Sequence, residues 1–178
     1  MVDFLVAIDR SLFQIINGDI PHSPFLNAFF EFFSGIGNWG FVWIILLFIL
    51  YLMGEIKSKG KFVGLLFASG LSLVLSEFLL KNLFQRIRPD LTLIGYSFPS
   101  SHATLAFAGA YVLSMGHKRL SLFYYLIAVL IGFSRIYLGR HYPSDVVVGS
   151  ILGFFIGFIS VKIAYEIERK SPEKSRKG

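Results

Sequence analysis

The sequence predicts an all-α integral membrane protein, a bundle of five to six transmembrane helices with an amphipathic helix at its N-terminus. Composition is the first reason. Of the 178 residues 54% are hydrophobic and only 16% charged, where an ordinary soluble domain carries about 25% charge. Layout is the second, because the charges fall in blocks between apolar runs that approach the roughly 20 residues a helix needs to cross a bilayer. The third is that the few ionisable residues near those runs gather at three junctions on one predicted side. The formal charge of +6 does not point to nucleic acid, since the basic residues form no continuous footprint. With no cysteine, disulfides, thiol catalysis and cysteine-based metal sites are excluded.

The elements follow in order. Residues 2–16 are apolar but marked by Asp3, Asp9 and Arg10, which fits an interfacial helix better than a span and gives no sign of a cleavable leader. Pro21 and Pro24 break what precedes them, and Phe25 to Phe33 reads as a short interfacial or re-entrant helix. Five spans are expected: Phe32 to Gly54; Phe62 to Phe84, interrupted only by Glu77 and Lys81; about Ser100 to Gly116; Leu120 to about Leu138; and Val146 to about Tyr165. Small residues recur every four positions in two of them, as Gly64, Ala68, Ser72, Ser76 and as Gly149, Gly153, Gly157. Such faces let helices approach closely in lipid, through packing inside a monomer or through a homodimer across the Gly149, Gly153, Gly157 face. No repeat, linker or second domain is visible. Residues 1–167 are expected to form a single embedded domain with its core at about 60–160, followed by a basic tail over 168–178.

Sidedness follows from Lys and Arg. Lys57, Lys59, Lys61, Lys118, Arg119, Arg169, Lys170, Lys174, Arg176 and Lys177, ten of the 17 basic residues, fall on one side. That side is expected to be cytoplasmic in a multi-pass protein of the inner membrane. The other side holds Lys81, Arg86, Arg88, Arg135 and Arg140, all at helix ends.

Ionisable groups at the edge of apolar spans are costly and point to function. Three junctions bring Lys81 and Arg88, then His102 after Pro99-Ser100-Ser101, then Arg135, His141 and Asp145 to the same face. These residue types support phosphoryl transfer. Lys81, Arg88 and Arg135 can neutralise a phosphate, the two guanidinium groups with bidentate donors. Ser100, Ser101 and the first amides of the helix starting near 102 offer an anion nest. If a helix begins near Pro143, Asp145 can orient His141 as a nucleophile, with His102 as acid and base. Glu77, four residues before Lys81, is expected to pair with it. Arg86, Arg140 and Tyr96 are expected to contact a headgroup. No metal or cofactor is expected, as acidic residues are too few for a two-metal site.

Three motifs, Lys81-x6-Arg88-Pro89, Pro99-Ser100-Ser101-His102 and Ser134-Arg135-x5-His141-x3-Asp145, resemble the signatures of the type 2 phosphatidic acid phosphatase superfamily. The resemblance covers roughly residues 60 to 160. It implies a metal-independent membrane phosphatase in which His141 forms a phosphohistidine, Asp145 partners it and His102 is the acid/base. Lys81, Arg88, Arg135 and the Ser100 region would bind the phosphate. The chain departs from the family in having Ser101 where glycine usually precedes the first catalytic histidine. The implied partner is a lipid phosphate: undecaprenyl diphosphate, phosphatidylglycerophosphate or the 1-phosphate of lipid A. Transfer of the phosphoryl group to another lipid or alcohol uses the same residues. A small transporter or structural protein fits less well, because the charges are confined to one face with none in the middle of several spans.

Overall fold

A computed structural model describes residues 2–55 and 59–170, all of whose regular structure is helical. Helix α1 (Val2–Phe13) runs into a π-helical turn at Gln14–Asp19. Pro24 opens α2 (Pro24–Ile36) at a position where a missing N–H costs nothing, and the Ser23 side chain caps it by accepting from Leu26 N at 3.2 Å. After α3 (Phe41–Leu52) come α4 (Lys59–Leu73), a π-helical stretch at Val74–Leu80 and the short α5 (Lys81–Phe84). Three further helices follow: α6 (Ser101–Gly116), α7 (Ser121–Tyr137) and α8 (Pro143–Lys170), the last beginning at the expected proline.

Among the described residues three stretches are long and apolar enough to cross a membrane: Gly60–Phe84, Lys118–Tyr137 and Pro143–Lys170. A fourth is present if α2 and α3 count as one bent span. Here the structure corrects the sequence reading. The expected span from Phe32 to Gly54 and the separate helix at Phe25–Phe33 are two limbs meeting at 55°. The break lies at Trp39 (φ 53°) and Gly40 (φ 72°), which are left-handed and end the α-helical hydrogen-bond ladder. The stretch from Ser100 to Gly116 is α6, whose 16 residues reach about 24 Å, short of a bilayer core of about 30 Å. It stands at the centre of the bundle, with 11 of those residues buried, and α4, α7 and α8 pack around it.

The centre is held by close approach of backbones. A Cβ on Gly153 would stand 2.2 Å from the Thr104 carbonyl oxygen, and one on Gly149 2.6 Å from that of Ser100. A Cβ on Gly157 would meet Ala108 O at 2.8 Å. The glycine face of α8 is therefore filled by α6 of the same chain, which removes it as a homodimer surface. The small face of α4 and of the π-helical stretch after it is likewise internal, with Ala68, Ser72 and Ser76 fully buried. Between apolar helices in lipid, such contact supplies dispersion rather than hydrophobic driving force. Trp43 is 1% exposed and covers Gly109, while Leu47, Leu113, Tyr124 and Ile131 complete the core.

The alternating helices give the bundle two ends. At one, Lys61 Nζ donates to Gly116 O at 3.3 Å and His117 faces Glu55 at 3.3 Å. At the other, Ser100 N donates to Asp145 O at 3.0 Å and Arg88 Nη1 to Arg140 O at 3.1 Å, tying the start of α6, the α5–α6 loop and the start of α8 together. Lys57 and the tail residues 171–178 from the charge reading lie outside the described residues, while Glu168 to Lys170 complete α8.

Candidate active site

The second end opens into a cavity of about 270 Å³. Lys81, Arg88, Ser101, His102, Arg135 and His141 line it, six side chains that the sequence singled out from three separate segments. Glu77 and Asn38 complete its polar wall, and Trp39, Leu73, Phe78 and Leu105 form an apolar one.

Each side chain is fixed by its element. The π-helical stretch before α5 places Glu77 beside Lys81, and Lys81 Nζ donates to Glu77 Oε2 at 2.5 Å, the predicted pair. Arg135 sits in the last turn of α7, 5% exposed, and donates through Nη1 to the Ser34 hydroxyl at the end of α2. His141 follows α7 in a turn made possible by Gly139 (φ 70°), and its amide donates to Arg135 O at 3.0 Å. His141 is 1% exposed and the two nitrogens of its imidazole face different partners. Nδ1 lies 3.5 Å from Asp145 Oδ2, slightly beyond a formed hydrogen bond, and Nε2 lies 3.3 Å from Arg88 Nη1. Burial, then the positive charges of Arg135, Arg88 and Lys81, hold the His141 imidazole well below its ordinary pKa, so the ring is neutral at neutral pH.

Asp145 is completely buried in the first turn of α8. Tyr142 N donates to its Oδ2 at 2.9 Å and Arg86 Nη1 to its Oδ1 at 2.7 Å. His102 is in the first turn of α6, where its Nε2 meets Asn38 Oδ1 at 2.7 Å. With Nε2 as the donor, the proton-bearing nitrogen faces the cavity wall.

Several expectations need correcting. The Ser100 side chain is fully buried and does not line the cavity, and its amide is taken by Asp145 O. The free amides of α6 thus start at Ser101, one residue later than the nest proposed from sequence. The Ser101 hydroxyl donates to Glu77 Oε2 at 2.5 Å instead of pointing to an anion, and so shares that carboxylate with Lys81. Arg86 is not a free headgroup contact, because its guanidinium is held by Asp9, Ser144 and Asp145. Arg140 and Tyr96 are half-buried and outside the cavity lining. Asp90 orients the α5–α6 loop by accepting from Thr92 N at 2.9 Å and Thr92 Oγ1 at 2.7 Å.

Sequence reasoning missed Ser34, Asn38 and Trp39. They reach the site only because α2 and α3 meet at an angle. The available signal was the Gly37-Asn38-Trp39-Gly40 run, whose glycines mark a break inside an apolar segment.

A helical bundle whose cavity at one end gathers three basic side chains and two histidines, one of them backed by a carboxylate, has the chemistry to hold a phosphate ester. That is the class of a membrane phosphatase. The chain belongs to the PAP2 superfamily, whose family model matches residues 61–169, and it is a lipid phosphatase of that superfamily. It is 33% identical to a lipid A 4'-phosphatase of Bacteroides thetaiotaomicron, in an alignment covering 94% of this chain and 81% of the relative. It is 30% identical to an undecaprenyl-diphosphatase of Sulfolobus acidocaldarius, covering 89% and 79%. Its fold is similar to the crystal structure of a PAP2-type phosphatidylglycerolphosphate phosphatase from Bacillus subtilis. The TM-score there is 0.72 at 25% identity, over 97% of this chain and 89% of that one.

Proposed function

We propose that this chain hydrolyses a lipid-linked phosphate monoester or diphosphate through a covalent phosphohistidine on His141. The observation that carries the reading is the opposed pair of contacts on one buried imidazole, Nδ1 toward Asp145 and Nε2 toward Arg88 in the cavity. Asp145 holds the proton on Nδ1 and leaves the Nε2 lone pair to attack phosphorus. As the N–P bond forms and the P–O bond breaks, His102, protonated once the substrate's negative charge occupies the cavity, gives its proton to the leaving lipid oxygen. Neutral His102 then takes a proton from water, whose oxygen attacks phosphorus. The N–P bond breaks and inorganic phosphate leaves. Lys81, Arg88, Arg135 and the first amides of α6 meet the charge on the equatorial oxygens.

The substrate reading rests on the cavity walls. A volume of about 270 Å³ accommodates a phosphate and the first atoms of its alcohol. Trp39 and Phe78, 65% and 69% exposed, continue that wall outward as an apolar surface suited to lipid chains. In this reading residues 1–167 are one embedded phosphatase domain crossing the inner membrane five times. The crossings are α2–α3, α4–α5, α7 and α8, together with α6, which joins the two ends from inside the bundle although it is shorter than a bilayer core; α1 lies at the interface as the remaining helix. The cavity faces the periplasm or exterior, and the C-terminal end of α8, with Arg169 and Lys170 in its last turn, faces the cytoplasm. The relatives act by name on lipid A, undecaprenyl diphosphate and phosphatidylglycerolphosphate, and these lipids are the substrate panel.

The test is phosphate release by purified protein in detergent with excess EDTA, from undecaprenyl diphosphate, phosphatidylglycerophosphate, phosphatidic acid and lipid A offered separately. Release from at least one lipid, lost in His141→Ala, is expected and ranks the substrates. Equal release by His141→Ala would remove His141 as nucleophile.

A further inference from the structure

Asp9 belongs to the first helix, far from the three motifs in sequence. Its neighbours on α1, Phe4, Leu5, Ile8 and Leu12, are exposed, yet Asp9 is only 6% exposed. Its Oδ2 accepts from Arg86 Nη2 at 2.5 Å and from Ser144 Oγ at 2.7 Å, and its Oδ1 accepts from Ser144 N at 2.8 Å. Arg86 extends its other terminal nitrogen to Asp145 Oδ1 at 2.7 Å and to Ser144 Oγ at 2.6 Å, with its guanidinium 4.1 Å from the Tyr142 ring centre. One guanidinium thus bridges a carboxylate of α1 and the carboxylate beside His141.

We propose that Asp9 is a positioning residue for the phosphatase reaction: through Arg86 it fixes the Asp145 carboxylate, so the N-terminal helix completes the active site. A buried carboxylate is directional only when both oxygens are engaged. Arg86 takes Oδ1 and Tyr142 N takes Oδ2, which leaves Oδ2 aimed at His141 Nδ1. Arg86 alone would be a long, rotatable side chain on a loop, and Asp9 removes that freedom with its second fork.

Charge balance gives Asp9 a second effect. Two carboxylates on one guanidinium leave one net negative charge facing the imidazole, available to stabilise the phosphorylated imidazolium. Without Asp9 the charge of Arg86 falls wholly on Asp145 and offsets it. The Asp9 contact with Ser144 N also caps the first turn of α8, the turn that carries Asp145.

The inference rests on the roles of His141 and Asp145 proposed above, and the experiment separates the two. Full-length wild type, Asp9→Asn, Arg86→Lys and His141→Ala are compared in detergent with phosphatidic acid, and ¹⁵N-histidine NMR of the same proteins reads the His141 tautomer without substrate. Asp9→Asn keeps an acceptor for Ser144 N but loses the ion pair, and Arg86→Lys cannot bridge two carboxylates with separate nitrogens. Both are expected to lower kcat at least about tenfold with KM within twofold, and to weaken the Nδ1–H signature of His141. A His141→Ala protein that still turns over would sink the reading of the site itself. Loss of activity in His141→Ala, with unchanged kcat and an unchanged His141 signature in Asp9→Asn, would overturn the positioning role alone. An unchanged tautomer signature overturns it equally if phosphatidic acid is not a substrate.

Discussion

Replacing Gly153 by alanine tests how far the site depends on the contact between α6 and α8. The new methyl group would stand 2.2 Å from the Thr104 carbonyl oxygen and 2.9 Å from its carbon, where ordinary contact begins at 3.4 Å. These are backbone atoms of a central helix, so no side-chain rotation relieves the clash. The helices must part by about 1 Å, a form of overpacking that costs about 1–3 kcal/mol. Thr104 is two residues beyond His102, and Gly153 lies eight residues beyond Asp145 on the helix that carries it. Separation therefore moves the two histidines relative to each other, and about 1 Å of misplacement is worth about a 10²-fold loss of rate. The assay is kcat and thermal midpoint of the purified variant, with Gly70→Ala as control because no atom lies within 4 Å of a Cβ there. We expect Gly153→Ala to melt lower and turn over about 100-fold more slowly, with Gly70→Ala like wild type. Wild-type values for Gly153→Ala would refute the claim that this approach sets the site.

Further predictions concern His102 and pH. Removing the hydrogen bond that holds His102 in Asn38→Ala removes about 1–1.5 kcal/mol of positioning, so kcat should fall about tenfold with little change in KM, measured by steady-state kinetics. An unchanged kcat would make Asn38 a bystander. Burial holds His141 neutral in the folded protein, whereas the unfolded chain titrates it near 6.5. The unfolded state therefore binds the extra proton below that pH, and this contribution to stability is present above about pH 6.5 and lost as pH falls toward the lower folded value. Thermal midpoints across that range should fall more steeply for wild type than for His141→Ala, and parallel curves would contradict the assignment.

Much of the site is written locally in the sequence. Lys81 with Glu77, and His141 with Asp145, are pairs four residues apart, and Pro143 marks the start of the helix that carries Asp145. Helical periodicity makes such pairs legible. Contacts between distant segments are not. Asn38 reaches His102, Ser34 reaches Arg135 and Asp9 reaches Arg86 only through the angles between helices, which depend on where glycines let backbones meet. The same limit explains the misread Ser100 and Ser101. Both stand beside His102 in sequence, but the approach of α6 to α8 takes the Ser100 amide, and the π-helical stretch before α5 brings Glu77 to the Ser101 hydroxyl. The broken span was hidden because hydropathy is blind to direction. Phe32 to Gly54 carries no charge whether or not Trp39 and Gly40 turn the chain through 55°.

The central claim is a covalent bond from phosphorus to His141 Nε2. The most direct measurement is acid-free quenching of the enzyme during turnover of ³²P-labelled lipid phosphate, followed by peptide mapping. The account predicts a base-stable, acid-labile label on the peptide holding His141, absent in His141→Ala and accumulating when His102 is replaced by a residue that cannot activate water. Turnover with no label at His141 under conditions that preserve phosphohistidine, or label on another residue, would contradict it.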